Sequence, residues 1–308
     1  MEIKIFVNRQ KMDKIWYNTN NMKKQLIIMP FDHRGSFKKH LIGTKKITKK
    51  QHKELEDLKK MIYQAFLNVY KKHKKKDNLA ILVDEEFGAK ILKDAKKRKI
   101  QICLTTEKSG QKQYGFEYGS SFGKHINKFK PDYVKALVRY NPLNKNVNKA
   151  QLKKLKRLSD FCKKNNYKLL IELLVPATDK DLKLAKTEKK YEKTLRLTRT
   201  VQAIKEIKQK VKVDIWKMEG FSAKGWKRII KVVPKTSSII FLGRGEDDKK
   251  VKKWLMDAKK FEQIIGFAIG RTIFLNALKR YQAKKISKSK AQDLIAKKFQ
   301  SYINLWNK

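Results

Sequence analysis

Three strand-like segments of the chain each carry a charged residue inside an otherwise apolar run. These residues are Lys135, Glu172 and Lys217. Burying an unpaired charge is costly, so charged residues in apolar strands are usually either paired or functional. Three segments in succession that offer a lysine, a glutamate and a lysine indicate a catalytic centre. The alternative is a structural ion-pair cluster.

The lysine and the glutamate are suited to imine chemistry. An amine held in an apolar strand loses the solvation of its charged form, so its pKa falls, and a second cation such as Lys135 lowers it further. A neutral amine on Lys217 can attack a ketone, and the resulting imine withdraws the electrons of a breaking carbon–carbon bond. Glu172 is the candidate proton shuttle. The alternative is that Lys217 and Glu172 form a salt bridge that only fills space.

Strand-like and helix-like segments alternate along the chain, which indicates a parallel sheet covered by helices. Eight strands, each followed by a helix, match the closed (β/α)8 TIM barrel, whose typical length is roughly 250 residues. We predict a single barrel domain over residues 23–308, an N-terminal extension over 1–22 and an extra C-terminal helix over 287–307. The predicted strands span residues 26–29, 79–83, 100–104, 134–138, 169–174, 213–216, 238–242 and 263–268. The predicted barrel helices span residues 51–70, 88–97, 122–129, 149–165, 191–210, 224–232, 247–260 and 272–279.

Polar, charged and glycine residues follow the predicted strands, where the active sites of such barrels lie. Glycines and arginines after the seventh and eighth strands match the place where many barrels bind phosphate through backbone N–H groups. Arg271 could add a bidentate contact there, or it could be a helix-start residue paired with a surface carboxylate. The candidate residues for binding substrate or phosphate are Arg34, Arg139, Glu219, Gly243, Arg244, Gly270 and Arg271. A phosphorylated ketone would fit this set together with Lys217.

The chain is strongly basic, with 78 Lys and Arg residues against 29 Asp and Glu residues and a net charge of +49. Such a charge suggests a nucleic-acid-binding protein. However, only 11 of these basic residues are Arg, and the lysines are spread over the polar faces of predicted helices. This distribution is typical of solvated surfaces, so we expect no specific nucleic-acid partner.

Other features narrow the class of protein. Two cysteines indicate a reducing compartment, and the chain has neither a signal-peptide pattern nor a run of about 18 apolar residues, so we expect a cytoplasmic protein that is not in a membrane. The five histidines are scattered, without the paired spacing of a zinc site. The glycine-rich motifs that bind dinucleotides or ATP are also missing. We therefore expect neither metal nor cofactor, and the sequence leaves a homo-oligomer open.

Seven motifs between residues 31 and 274 carry a resemblance to a known family. They are Phe-Asp-His-Arg-Gly-Ser-Phe, Glu-Lys-Ser-Gly, Val-Lys-Ala-Leu-Val-Arg-Tyr-Asn-Pro, Glu-Leu-Leu-Val-Pro-Ala, Asp-Ile-Trp-Lys-Met-Glu-Gly, Leu-Gly-Arg-Gly-Glu-Asp and Gly-Phe-Ala-Ile-Gly-Arg-Thr-Ile-Phe. Together they resemble the barrel domain fused to a sugar kinase in bacterial inositol catabolism, the 2-deoxy-5-keto-gluconate 6-phosphate aldolase. More distantly, they are similar to class I tagatose-1,6-bisphosphate aldolase. This chain departs from the fused form because it contains no kinase segment.

The resemblance implies roles for individual residues and a reaction. Lys217 matches the Schiff-base lysine, Glu172 its acid–base partner, and Arg271 the phosphate-binding arginine, while Asp32 and Lys135 match polar groups that line the pocket. The implied activity is a class I aldolase that cleaves 5-dehydro-2-deoxygluconate 6-phosphate to dihydroxyacetone phosphate and malonic semialdehyde. One alternative is a tagatose-1,6-bisphosphate aldolase, whose second phosphate Arg139 or Arg34 could bind. The other is a non-catalytic, basic nucleic-acid-binding protein on a barrel scaffold.

Overall fold

Eight parallel strands form a closed barrel in which every strand pairs with its neighbours in sequence and β8 pairs with β1. The computed structural model describes residues 24–44 and 46–308. The predicted extension over 1–22 therefore lies outside the described residues. The (β/α)8 barrel itself is confirmed. The strands are β1 (Leu26–Pro30), β2 (Leu79–Val83), β3 (Gln101–Thr105), β4 (Tyr133–Arg139), β5 (Lys168–Leu174), β6 (Ile215–Glu219), β7 (Ser238–Leu242) and β8 (Ile264–Ala268).

Twelve α-helices surround the barrel within the described part of the chain. They are α1 (Gly35–Leu41), α2 (Lys49–Lys72), α3 (Glu85–Lys97), α4 (Phe122–Phe129), α5 (Lys145–Lys164), α6 (Asp179–Ala185), α7 (Glu188–Thr194), α8 (Arg196–Lys208), α9 (Ala223–Ile230), α10 (Asp248–Ala258), α11 (Arg271–Gln282) and α12 (Lys288–Asn307). The last helix packs against α2 and α11. None of these helices is long and apolar enough to cross a bilayer.

Many helices begin where a side chain can bind the free backbone N–H groups of the first turn. Thr48 accepts a hydrogen bond from Gln51 N at the start of α2, and Asp84 accepts one from Phe87 N at the start of α3. The same capping occurs at Thr178, Thr187, Ser222, Asp247 and Ser287. These caps fix where each of these helices begins.

Several predicted elements differ from those in the structure. The predicted helix over 191–210 is two helices, because the chain bends at Leu195 and the side chain of Arg196 turns inward to Glu219. The short helices α1 and α6 were missed, since seven-residue segments show little periodicity. Strand β6 begins at Ile215 and continues to Glu219 instead of ending at Trp216. It therefore includes Lys217 and Glu219, while Asp214 of the same motif precedes it.

The core has two layers, which follow the alternation of side chains along each strand. One layer lies between the barrel and its helices and includes Trp216, Phe241 and Phe267. The other fills the barrel interior with Leu26, Ile28, Ala80, Leu82, Cys103, Tyr133, Leu170, Ile215, Ile240, Ile265 and Ala268. The interior layer closes the lower part of the barrel, so a ligand can enter only from the carboxyl ends of the strands.

Candidate active site

Lys135, Glu172 and Lys217 lie in one layer of the barrel interior, directly above the apolar layer. Each is two residues beyond an apolar interior residue of its own strand, and the register of β5 and β6 sets Glu172 beside Lys217. Residues two apart on a strand face the same side. The structure thus places all three side chains together, as the strand parity predicts.

Lys135 is bound by three carboxylates. Its Nζ donates hydrogen bonds to Asp32 Oδ2 at 2.8 Å and to Glu107 Oε1 at 2.7 Å, and it pairs with Glu172 Oε2 at 2.8 Å. The side chain is 1% exposed. Burial alone would lower the pKa of Lys135, but the three carboxylates outweigh it and raise the pKa well above its ordinary value. Lys135 is therefore a permanent cation.

Lys217 has a looser environment. Its Nζ lies 3.0 Å from Glu172 Oε2, and this carboxylate is its one ion-pair partner among the described residues. The side chain is 4% exposed and faces the same interior as Lys135. Because Lys217 shares its one carboxylate with Lys135, fewer ion pairs fix its amine than fix the amine of Lys135. Lys217 is therefore the amine that can change its bonding.

Two carboxyl groups in this layer are held in their ionised form. Burial would raise the pKa of Glu172, but the ammonium groups of Lys135 and Lys217 lower it to about 2. Burial also opposes ionisation of Asp32, and the same two lysines hold the pKa of that carboxyl well below its usual range. Both groups are consequently ionised near neutral pH and can only accept hydrogen bonds.

Glu107 completes this cluster, and the sequence reasoning gave it no role. It follows β3 and reaches Lys135 with its side chain, while its backbone carbonyl accepts a hydrogen bond from Arg34 Nη2 at 2.5 Å. Arg34 also pairs with Glu117 at 2.5 Å. The signal available in the sequence was the Glu-Lys-Ser-Gly motif at a strand end, although a motif alone does not show which way its side chains point.

A cavity of about 330 Å³ opens above the charged layer at the carboxyl ends of the strands. Its floor is formed by Asp32, Lys135, Glu172 and Lys217. The remaining lining residues come mainly from the segments after β1 and β3 and from β4: His33, Arg34, Gly35, Ser36, Lys39, Glu107, Lys108, Ser109, Gly110, Gln111, Lys112, Gln113, Tyr114, Leu137 and Arg139. The cavity brings Arg34 and Arg139 together with all four candidate catalytic residues.

The candidate phosphate residues after β7 and β8 lie outside the lining of this cavity. Arg271 donates a hydrogen bond to the backbone oxygen of Arg244 at 2.7 Å, and its guanidinium covers Gly245 closely enough to exclude a Cβ there. Gly243 and Gly270 are close-packed positions beside these loops. This hydrogen bond joins the loop after β7 to the first residue of α11.

Glu219 takes part in a separate ion-pair cluster rather than in the cavity. Its carboxylate pairs with Arg196 Nη1 at 3.2 Å and with Arg244 Nε at 3.0 Å. Glu192 pairs with the same two arginines, at 2.8 Å from Arg196 Nε and 2.6 Å from Arg244 Nη1. Burial raises the pKa of Glu219 although both arginines act against it. In this structure each arginine is already neutralised by carboxylates.

Among the described residues, His, Cys, Asp and Glu side chains form no group of three that could hold a metal ion. The three carboxylates around Lys135 instead surround an ammonium group. Lys135 thus occupies the position that a metal would need among them.

The fold and this cluster define a class: a (β/α)8 barrel with ionisable side chains beneath a cavity at the carboxyl ends of its strands, where enzymes of this fold have their active sites. A family model described as "uncharacterized protein conserved in bacteria (DUF2090)" matches residues 7–308. The chain belongs to this family.

Three solved structures share the fold. Cgl0159 from Corynebacterium glutamicum is 14% identical, with a TM-score of 0.56, and the match covers 90% of this chain and 86% of that one. A Schiff-base-forming fructose-1,6-bisphosphate aldolase is 12% identical, with a TM-score of 0.54 and coverage of 92% and 94%. The YdjI aldolase from Escherichia coli K12 is 11% identical, with a TM-score of 0.53 and coverage of 96% of both chains. No curated protein matches. At these identities the likeness establishes a common barrel.

Proposed function

We propose that this protein is a class I aldolase that forms an imine between Lys217 and the ketone of a phosphorylated keto acid or ketose. The observation that carries the proposal is the position of the Lys217 amine. It is buried, it faces an open cavity, and Glu172 lies 3.0 Å away, within reach for direct proton transfer.

Glu172 and Lys217 can carry out the first half of this reaction. The Glu172 carboxylate accepts a proton from the Lys217 ammonium, and the neutral amine adds to the ketone carbon. The carbinolamine then loses water, whose oxygen takes a proton from Glu172. The resulting iminium has the same charge as the original ammonium, so the surrounding carboxylates stabilise it without rearrangement.

Carbon–carbon cleavage needs a base for the hydroxyl that lies two carbons from the iminium carbon. Asp32 and Glu172 are both ionised and both line the cavity. As the base takes the hydroxyl proton, an aldehyde is released and the electron pair of the broken bond moves into the iminium, giving an enamine. Protonation of the enamine carbon and hydrolysis of the imine then free the three-carbon ketone. Lys135 holds the carboxylates in position between these proton transfers.

The cavity itself supports a catalytic function over a purely structural cluster. Ion pairs that only filled the barrel would need no opening above them, whereas about 330 Å³ lies over Lys217 here. The basic surface would also serve a nucleic-acid-binding protein, but such a protein would not need a buried Lys135–Glu172–Lys217 layer. We therefore favour an enzyme with a small-molecule substrate.

For the substrate, we propose 5-dehydro-2-deoxygluconate 6-phosphate, with Arg271 and the glycines after β7 and β8 binding its phosphate. The support is the motif resemblance together with the position of these loops at the end of the barrel where phosphate commonly binds. Tagatose-1,6-bisphosphate is the second candidate because Arg139 lines the cavity and is only partly buried. Arg34 is less suited to a second phosphate, since Glu117 already neutralises it.

The test is to trap the imine. The protein is incubated with dihydroxyacetone phosphate, reduced with borohydride, digested and analysed by mass spectrometry. We expect the secondary amine on Lys217 and none on Lys59, a fully buried lysine outside the cavity that serves as an internal control. Lys217→Arg should abolish trapping and turnover, because a guanidinium stays protonated. A label on another lysine would refute the assignment. Assays of dihydroxyacetone phosphate release from a panel of phosphorylated ketoses and keto acids would then identify the substrate.

A further inference from the structure

His33 lines the cavity together with Lys217 and Glu172, and the mechanism above gives it no role. It directly follows Asp32 at the end of β1. Its Nδ1 is buried and has no hydrogen-bond partner among residues 24–44 and 46–308. A buried polar atom without a partner costs free energy, so each one requires an explanation. The rest of the ring is only partly buried and lines the cavity, so a bound substrate can contact it there.

The ring of His33 is held by packing rather than by hydrogen bonds. It meets the ring of Phe274 edge to face, with centroids 6.0 Å apart and an interplanar angle of 75°. On another side it approaches Gly270 so closely that a Cβ there would lie 3.2 Å from His33 Cε1. Packing thus fixes the orientation of the imidazole ring at the cavity, although its Nδ1 makes no hydrogen bond to the described residues.

The electrostatic environment keeps this imidazole uncharged. Burial lowers the pKa of His33 to about 3, and Arg271 and Lys217 act in the same direction, against Asp32. A neutral imidazole has one donor and one acceptor nitrogen, which suits a hydroxyl group better than a phosphate or carboxylate. The ring lines the same cavity as Lys217, and its close approach to Gly270 places it beside the residue that precedes Arg271, on the side of the proposed phosphate site.

We propose that His33 contacts the substrate and positions it by a hydrogen bond to the hydroxyl next to the carbonyl carbon, in the three-carbon half. This inference rests on the proposed function, since it places the imine on Lys217 and the phosphate near Arg271. Once the carbonyl carbon is bound to Lys217, the three-carbon half keeps a charged phosphate and this uncharged hydroxyl, and the hydroxyl suits a neutral imidazole. His33 transfers no proton in this role; it fixes the orientation of the carbon chain.

The test compares two ketones, dihydroxyacetone phosphate and acetol phosphate, in which hydrogen replaces that hydroxyl. The concentration giving half-maximal borohydride labelling of Lys217 is measured for each ketone. For the wild type we expect dihydroxyacetone phosphate to bind about tenfold more tightly, as for one neutral hydrogen bond. His33→Phe keeps a ring against Phe274 and should bind both ketones equally. His33→Gln should restore part of the preference, and the control His73→Phe, at the end of α2, should retain all of it.

The outcomes separate this inference from the proposed function. If wild-type Lys217 is labelled by neither ketone, the aldolase proposal fails. If Lys217 is labelled and His33→Phe keeps the tenfold preference, the role of His33 is refuted while the aldolase proposal stands. If His33→Phe does not fold, wild-type protein with ¹⁵N-labelled histidine decides the question. Dihydroxyacetone phosphate should shift the His33 ring nitrogens more than acetol phosphate does, and equal shifts would overturn the inference.

Discussion

Replacing Lys135 with methionine should destabilise the barrel far more at neutral than at acidic pH. The substitution removes the cation that Asp32, Glu107 and Glu172 share. Of the ion pairs to these three carboxylates, those of Glu172 with Lys217 and of Glu107 with Arg34, at 3.7 Å, remain. Removing one partner of a buried ion pair costs roughly 3–5 kcal/mol. The lowered pKa of Glu172 agrees in direction, because Lys135 is the larger of the two cations that keep this carboxylate ionised against its burial.

The pH dependence follows from the direction of these shifts. Glu172 and Asp32 have lowered pKa values in the folded protein, so their contribution to stability is present above their ordinary pKa values and disappears as the pH falls through the folded values. Without Lys135 these pKa values rise, and the carboxyl groups take up protons at a higher pH. The difference in unfolding free energy between the wild type and Lys135→Met should therefore shrink as the pH falls from 7 towards 4.

Urea unfolding of both proteins at pH 7 and pH 5 measures this difference. Lys59→Met is the matched control, because Lys59 is also fully buried but pairs with a single carboxylate, Asp84. Because the control leaves one carboxylate without its lysine rather than three, its loss should change less over this pH range. A cost for Lys135→Met below about 1 kcal/mol, or an equal cost at both pH values, would refute the account of Lys135 as the fixed cation.

Three further predictions concern the reaction. Glu172→Gln should slow imine trapping on Lys217 by roughly 10²- to 10⁴-fold while the circular dichroism spectrum stays that of the wild type, whereas unchanged trapping kinetics would exclude Glu172 as the proton shuttle. Arg271→Ala should reduce kcat/KM for the phosphorylated substrate by about 1.5–3 kcal/mol but leave the dephosphorylated analogue unaffected. Arg280→Ala, on the exposed side of the same helix, is its control, and equal losses on both substrates would make Arg271 a structural residue. Turnover should persist after dialysis against a strong chelator, and loss of turnover that added metal restores would contradict an imine mechanism.

The sequence was sufficient for the barrel and for the central layer of the site because both depend on local periodicity. Charged residues that replace apolar ones at alternate strand positions reveal which face they occupy, so Lys135, Glu172 and Lys217 could be placed before the fold was known. Asp32 could be singled out for a related reason, because it is the second residue after an apolar strand. Strand order then brings such residues together in a barrel.

The contact of Glu107 with Lys135 and the helix break at Leu195 could not be predicted from local periodicity. Glu107 reaches Lys135 through the connection after β3, where a single bridge to Phe116 fixes the chain. Pairing of that kind depends on tertiary contacts and leaves no periodic signal. The break before α8 depends on Arg196 binding Glu219 and Glu192, which lie in other elements. Sequence patterns show which residues are unusual, but not which partners a loop brings to them.

The two buried lysines differ in their partners, because Lys135 pairs with three carboxylates and Lys217 pairs with only one of them, Glu172. The residue that stabilises the barrel is therefore not the one proposed to react. Lys135 satisfies Asp32 and Glu107 whether or not position 217 carries an amine. A chain that replaced Lys217 would therefore lose the proposed nucleophile and keep most of the electrostatic framework of the barrel. If the proposed function is right, a single substitution at this position would abolish activity and leave the protein folded. We expect inactive but stable descendants to differ at 217 far more readily than at 135.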